Sequence, residues 1–152
     1  MTATRTGPMT GIKILDLSQF VAGPLATQML AEQGAEVLKI EPLEGELLRL
    51  GLRSGFPPLF ANDNRGKRCI AIDTKQEAGR DLVLELARDA DVLVENFRPG
   101  VTERLGLDEP AVRAVAPDIV YVSVTGFGPT GPYAERPCLD PIIQGITGMV
   151  TG

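Results

Sequence analysis

Residues 11–41 read GIKILDLSQFVAGPLATQMLAEQGAEVLKIE, and this stretch decides the fold. Gly11 to Leu17 is a mostly apolar run of strand length. Pro24 stands where a helix begins, because its fixed φ suits the first turn and its missing N–H is not needed there. Leu25, Met29, Leu30 and Gln33 carry that helix to Gly34, a good stop. Glu36 to Glu41 is then a second strand. Strand, helix and strand in immediate succession describe a parallel pair joined by a crossover helix.

The same alternation continues downstream. Residues 42–64 are irregular, with Gly and Pro at several places and Phe56 and Phe60 available as anchors. Cys69 to Asp73 reads as a third strand. Gln76 to Ala90 is the clearest helix, with Leu82, Leu84, Leu86 and Ala87 supplying an apolar stripe between charges. Asp91 to Asn96 is a fourth strand, followed by short helices around Val101–Leu105 and Glu109–Val115. Asp118 to Val124 is a fifth strand, and Asp140-Pro141 opens a final helical stretch. The expectation is an α/β fold: a Rossmann-like parallel sheet with flanking helices over residues 11–152, preceded by a flexible polar tail over residues 1–10.

Composition narrows the chemistry. Hydrophobic residues make up 43% and charged residues 23% of the 152, the balance of a globular protein. The longest apolar runs are strand-length, so no membrane partner is expected, and a cytoplasmic setting follows by default. A net charge of −5 argues against nucleic acid as a general partner. Cys69 and Cys138 are too few for a disulfide framework or metal cluster and read as reduced and structural. There is no histidine. That removes His-activated nucleophiles, His-ligated zinc and His acid–base work, leaving carboxylates, lysines, hydroxyls and backbone groups.

Ligands of open parallel sheets bind outside the carboxyl ends of the strands. Here those positions are Ser18–Gly23, Glu41-Pro42, Asp73–Lys75, Asn96–Gly100 and Thr125–Gly131. Turn-formers gather at strand ends in any α/β protein, so the list alone does not choose a function. Gly126-Phe127-Gly128-Pro129-Thr130-Gly131 matches G-x-G-x-x-G, but Pro129, Pro132 and Pro137 forbid the helix that a dinucleotide fingerprint must open. Asp140 reads as a helix cap before Pro141, with ligand contact the alternative. Arg104 suits a phosphate through its planar fork, or is a solvated surface charge. Asn64-Arg65-Gly66-Lys67-Arg68 concentrates three cations that suit a phosphate-rich ligand or a solvated turn.

Taken together, these segments resemble the family III CoA-transferases, the CaiB/BaiF family to which formyl-CoA transferase and carnitine CoA-transferase belong. The residues that carry the resemblance are Gly11–Leu17 with Ala22-Gly23-Pro24, Gly34–Pro42, Asn64–Arg68, Asp91–Gly100, Arg104-Leu105-Gly106 and Gly126–Tyr133. They cover nearly the whole chain in one order. The resemblance implies that coenzyme A, as co-substrate, lies across the carboxyl end of the sheet. It places Val21 and Ala22 near the thiol end, with Ile72, Asp73, Thr74 and Lys75, and Asn96, Phe97 and Arg98, lining the cofactor. Arg104 would meet its phosphates, and the stretch around Arg136 to Asp140 would border the ligand.

The resemblance further implies an enzyme that moves CoA between an acyl-CoA and a carboxylic acid through an aspartyl-CoA intermediate, as an interlocked homodimer. By the family's spacing the nucleophilic aspartate falls after Gly152, so no catalytic residue and no metal ligand is assigned here. The chain would be the N-terminal part, truncated on its C-terminal side. Val21 stands where some formyl-CoA transferases carry glutamine, which disfavours formyl and oxalate chemistry. Leu139 stands where the racemase branch has histidine, which disfavours 2-methylacyl-CoA racemisation. The alternatives are a truncated CoA-binding module without activity and a nucleotide-dependent oxidoreductase domain.

Overall fold

The computed structural model describes residues 6–50 and 57–150; the expected anchor Phe56 lies outside them. Within these residues the strands are β1 (Lys13–Asp16), β2 (Glu36–Glu41), β3 (Arg68–Ala71), β4 (Val92–Glu95) and β5 (Val120–Ser123). All pair in parallel, in the order β3-β2-β1-β4-β5. The helices are α1 (Ala22–Glu32), α2 (Leu47–Leu50), α3 (Pro58–Asp63), α4 (Glu77–Arg88), α5 (Val101–Leu105), α6 (Glu109–Val115) and α7 (Asp140–Thr147). The chain winds outward from β1 to β3, then returns to the other side of β1. Between β1 and β4 the strand order therefore reverses, and loops leaving those two strands diverge to open a crevice.

Parallel sheets need cover on both faces. On one face Leu15, Leu17, Ile40 and Leu93 meet Val83 and Ala87 of α4, Val112 of α6, and Leu107 and Ile119. On the other, Ile14, Val37 and Val94 meet Ala31 of α1 and Ala35. Toward the carboxyl ends this second face changes character. In register with one another, Asp16 of β1 and Lys39 of β2 follow Ile14 and Val37.

The strand–helix reading holds outside residues 42–64, with shifts in detail; that stretch, expected to be irregular, carries the short helices α2 and α3. Helix α1 starts at Ala22, so Pro24 is its third residue, still in the turn where an N–H has no helical acceptor. In α4 the residues sealed against the sheet are Val83 and Ala87, while Leu82 of the expected stripe is 40% exposed. Leu82 sits one residue, about 100° of helix rotation, from Val83. Within the expected tail, residues 7–10 form a turn tied to the end of α1: Met9 N–H donates to the Gln33 carbonyl (3.0 Å), and Met9 packs against the α1-side core. Asp140 does not cap α7. Leu139 occupies that position, Asp140 is the first helical residue, and its carboxylate accepts from Gln144 Nε2.

Val120 and Val122 of β5 are in register with Val92 and Val94, beyond the reach of α1, and stay exposed. Ile142, Ile146 and Met149 at the C-terminal end are exposed as well. Apolar surface of this kind drives association. Sedimentation velocity on these 152 residues is expected to show concentration-dependent self-association; a monodisperse monomer at every concentration would count against it.

Candidate functional site at the carboxyl ends of β1, β4 and β5

The site is built on a charged network beneath the end of β1. Asp16 is fully buried, and its carboxylate accepts from Ser18 N–H (2.9 Å), the Ser18 hydroxyl, the Thr27 hydroxyl (2.7 Å) and Lys67 Nζ (2.9 Å). Lys67 Nζ also donates to the Pro24 carbonyl and to Asn64 Oδ1, both at 2.8 Å. Burial alone would raise the Asp16 carboxyl. The ammonium groups of Lys39 and Lys67, with these hydrogen bonds, outweigh that and hold it below the ordinary carboxylate range. Burial pulls Lys67 down, with the Asp16 carboxylate partly offsetting it.

One step along the chain, residues 18–20 are fixed by three distant side chains. Lys39 Nζ donates to the Ser18 carbonyl (2.6 Å) and lies 2.9 Å from Glu46 Oε2, with both side chains almost wholly buried. Asn96 clamps Gln19 from both sides, accepting its N–H and donating to its carbonyl, each at 2.7 Å. Glu46 Oε1 accepts the Phe20 N–H at 2.8 Å. Phe20 has φ of +61°, the one non-glycine residue with positive φ among the described residues. Gly23 allows the loop to close on α1: a Cβ there would lie 2.3 Å from the Ser18 Cβ.

Ala22, at the start of α1, opens onto a cleft of about 240 Å³. Asn96, Phe97, Arg98 and Pro99 line it from the end of β4, Val124 to Gly126 from the end of β5, and Ala134, Arg136 and Cys138 from the returning loop. The Glu95 carboxylate accepts the Phe97 N–H (2.8 Å), which turns the chain at the cleft wall. Arg136 stacks on the Tyr133 ring, whose edge meets Phe127. Gly126 sits against Cys138, where a Cβ would come within 2.2 Å of the cysteine Cβ. Arg98 and Arg136 are exposed, and among the described residues neither forms an ion pair, so their guanidinium groups can meet an anion.

Of the residues expected at the cofactor, Ala22, Asn96, Phe97, Arg98 and Arg136 share this cleft. Val21 precedes Ala22 and is exposed. Arg104 is exposed on α5, its guanidinium beside Gly100. Asp73, Thr74 and Lys75 stand at the carboxyl end of β3, two strands out from β1, with Lys75 exposed. Ile72 is 6% exposed and belongs to the α4-side core, so its side chain faces the sheet interior. Asp140 lies at the head of α7, outside the cleft lining.

Of the cation cluster at 64–68 only Lys67 is taken up inside the fold, while Arg65 and Arg68 stay on the surface beside glutamates. Lys67 is buried on Asp16, Arg65 pairs with Glu32 (2.7 Å), and Arg68 lies 3.9 Å from Glu36. The G-x-G-x-x-G segment runs through turns until α7, so it offers no helix N-terminus for a pyrophosphate. Cys69 and Cys138 are free thiols, and burial, with Glu41 beside it, pushes Cys69 up. Sequence reasoning missed the Asp16, Lys39, Glu46 and Lys67 network and the left-handed Phe20. The charges inside strands β1 and β2 were the available signal.

A family model described as CoA-transferase family III matches residues 9–152. An acyl-CoA transferase of Fusarium pseudograminearum is 44% identical over 96% of this chain and 35% of its own length. A succinate–glutarate CoA-transferase of Agrobacterium fabrum is 39% identical over 97% of this chain and 39% of its own length. The crystal structure of a CaiB/BaiF family protein from Brucella suis superposes with a TM-score of 0.90 at 41% identity, covering 97% of this chain and 41% of that one. The chain spans about two fifths of the length of the relatives it matches.

Proposed function

This chain belongs to CoA-transferase family III, and we propose that it supplies the CoA-binding part of an enzyme that moves CoA from an acyl-CoA to a carboxylic acid. The observation that carries the reading is the cleft at the reversal of the strand order, where Ala22, Asn96, Phe97, Arg98 and Arg136 converge. An apolar ring beside exposed guanidinium groups suits a ligand that joins an aromatic base to phosphates. A ligand as long as coenzyme A, laid across the strand ends, would run from Val21 and Ala22 past Asn96–Arg98 and reach Arg104. Its outer part would meet Asp73, Thr74 and Lys75, with the backbone of Ile72 below them. Arg136 and the segment to Asp140 would border it from the other side.

The chemistry in this reading is covalent catalysis by a carboxylate. An aspartate attacks the thioester carbonyl and expels the CoA thiolate, leaving an aspartyl anhydride. The thiolate attacks the aspartyl carbonyl, releases the donor acid and leaves an aspartyl-CoA thioester, which the acceptor acid then reopens by the same two steps reversed. No residue among these 152 is assigned as that nucleophile. This chain's part is to hold CoA, with the aspartate on other segments of a cytoplasmic homodimer. Among the described residues no group of His, Cys, Asp and Glu is arranged to hold a metal ion, and no helix is long and apolar enough to cross a membrane.

Calorimetric titration with CoA tests the reading. Arg98→Ala and Arg104→Ala should each weaken binding by about 10- to 100-fold, the loss of one charge-assisted contact, and NAD should give no response. A well-folded protein that ignores CoA, or variants that both bind it as tightly as the unaltered protein does, overturns the proposal.

A further inference from the structure

The loop that leads into the cleft is held in an unfavourable shape by Glu46 and Lys39, which are not among the residues lining the cleft, together with Asn96, which is. Phe20 has φ of +61°, a region an aromatic residue enters only under constraint. The constraint on it is a buried glutamate: Glu46 Oε1 accepts the Phe20 N–H at 2.8 Å. The other oxygen, Oε2, is ion-paired with Lys39 Nζ at 2.9 Å, and that ammonium also donates to the Ser18 carbonyl at 2.6 Å. Glu46 and Lys39 thus act on two residues of one loop, and Asn96 fixes Gln19 between them. Two residues beyond Phe20, Ala22 forms part of the cleft wall.

A buried ion pair is a poor device for stability, since a well-packed apolar pair in the same space often does as well or better. Strained backbone is likewise kept where the surrounding structure over-determines it. Both features converge on residues 18–20. We propose that Glu46, with Lys39 as its counter-ion, is a positioning residue: it holds Phe20 in the left-handed conformation and so presets the loop 18–22 for the ligand of the cleft. This rests on the CoA reading above. The ligand then meets a loop already ordered, and the ordering entropy is not charged to binding.

The test separates stability from binding, using the intact polypeptide as its gene encodes it. In the double variant Lys39→Met with Glu46→Leu, the thermal midpoint should match or exceed that of the unaltered protein. Hydrogen exchange in the peptide spanning residues 17–23 should quicken, and CoA should bind at least about tenfold more weakly. Glu46→Gln keeps an acceptor for the Phe20 N–H but leaves Lys39 charged and unmatched. It should melt lower yet hold CoA within about threefold of the unaltered protein. A merely structural pair predicts the opposite, with binding following the midpoint in both variants.

Unchanged exchange and unchanged affinity in the double variant overturn the proposal. So does a tenfold loss of CoA binding in Glu46→Gln with residues 17–23 still protected, a result that remains available should the double variant not fold. If the unaltered protein itself ignores CoA, the CoA reading falls alone. Faster exchange of residues 17–23 in the double variant then still supports the positioning role, and unchanged exchange removes it.

Discussion

Asp16→Ala should lower folding stability by about 3–5 kcal/mol, the range for removing one partner from a buried charge cluster. The carboxylate serves Ser18, Thr27 and Lys67 at once and lies in the field of Lys39. Its loss strands an ammonium at Lys67, whose side chain has no exposed surface, and takes the acceptor from the buried Ser18 hydroxyl, while the Thr27 hydroxyl keeps the Gly23 and Pro24 carbonyls. Thr27→Ala, in which a hydroxyl is lost and no charge is stranded, should cost about 1 kcal/mol. Chemical denaturation of the two variants decides the matter: if Asp16→Ala costs no more than Thr27→Ala, the network does not hold the loop.

The same carboxylate sets a pH dependence. Its folded pKa is depressed, so its contribution is complete above the unfolded value of about 3.9 and fades as pH falls through the folded one. Glu41 adds in the same sense: burial raises it, but the hydrogen bonds from Arg49, at 2.6 and 2.7 Å, hold it down. Lys67, lowered by burial, binds its proton less readily folded than unfolded, which also makes stability rise with pH, in the alkaline range. Stability should therefore fall steeply below about pH 4. In Asp16→Asn the acid slope should flatten; an unchanged slope would show that other carboxylates carry it.

Leu93→Ala should cost about 2–5 kcal/mol. Leu93 is fully buried at the middle of β4, between β1 and β5 and in the cluster that includes Val83, Ala87 and Val112. The sheet around it is closed by strands on both sides, so it cannot collapse into the cavity. Leu82→Ala, one helical position from Val83 and partly in water, should cost under about 1 kcal/mol. Equal losses in the two would mean that α4 docks by a different face.

The comparison shows where sequence reading stops. Strand β2 was read at Glu36–Glu41 and α5 and α6 at their observed bounds, because strand-length apolar runs and turn residues are local properties. In the stripe of α4, Leu84, Leu86 and Ala87 were read correctly and Leu82 stood in for Val83, since the two are equally apolar and only the position of the sheet distinguishes them. At the site, the signals around Asn96, Phe97 and Arg98 were visible as turn chemistry at a strand end. Lys67 was legible only as one cation in a basic cluster, and nothing local to it foretells a carboxylate 51 residues earlier in the chain.

By itself, the sequence determined the succession of strands and helices, the parallel sheet they imply and the family resemblance, because each rests on short-range periodicity and ordered motifs. Only the tertiary structure decided that Asp16, Lys39, Glu46 and Lys67 are buried together and that they hold residues 18–20 with Phe20 in the left-handed conformation. An alternating strand tells which residues share a face. Whether that face meets water or a second layer depends on where α1 and the turn at residues 64–67 come to rest, and burial is what turns a surface charge into an ion pair with one required partner.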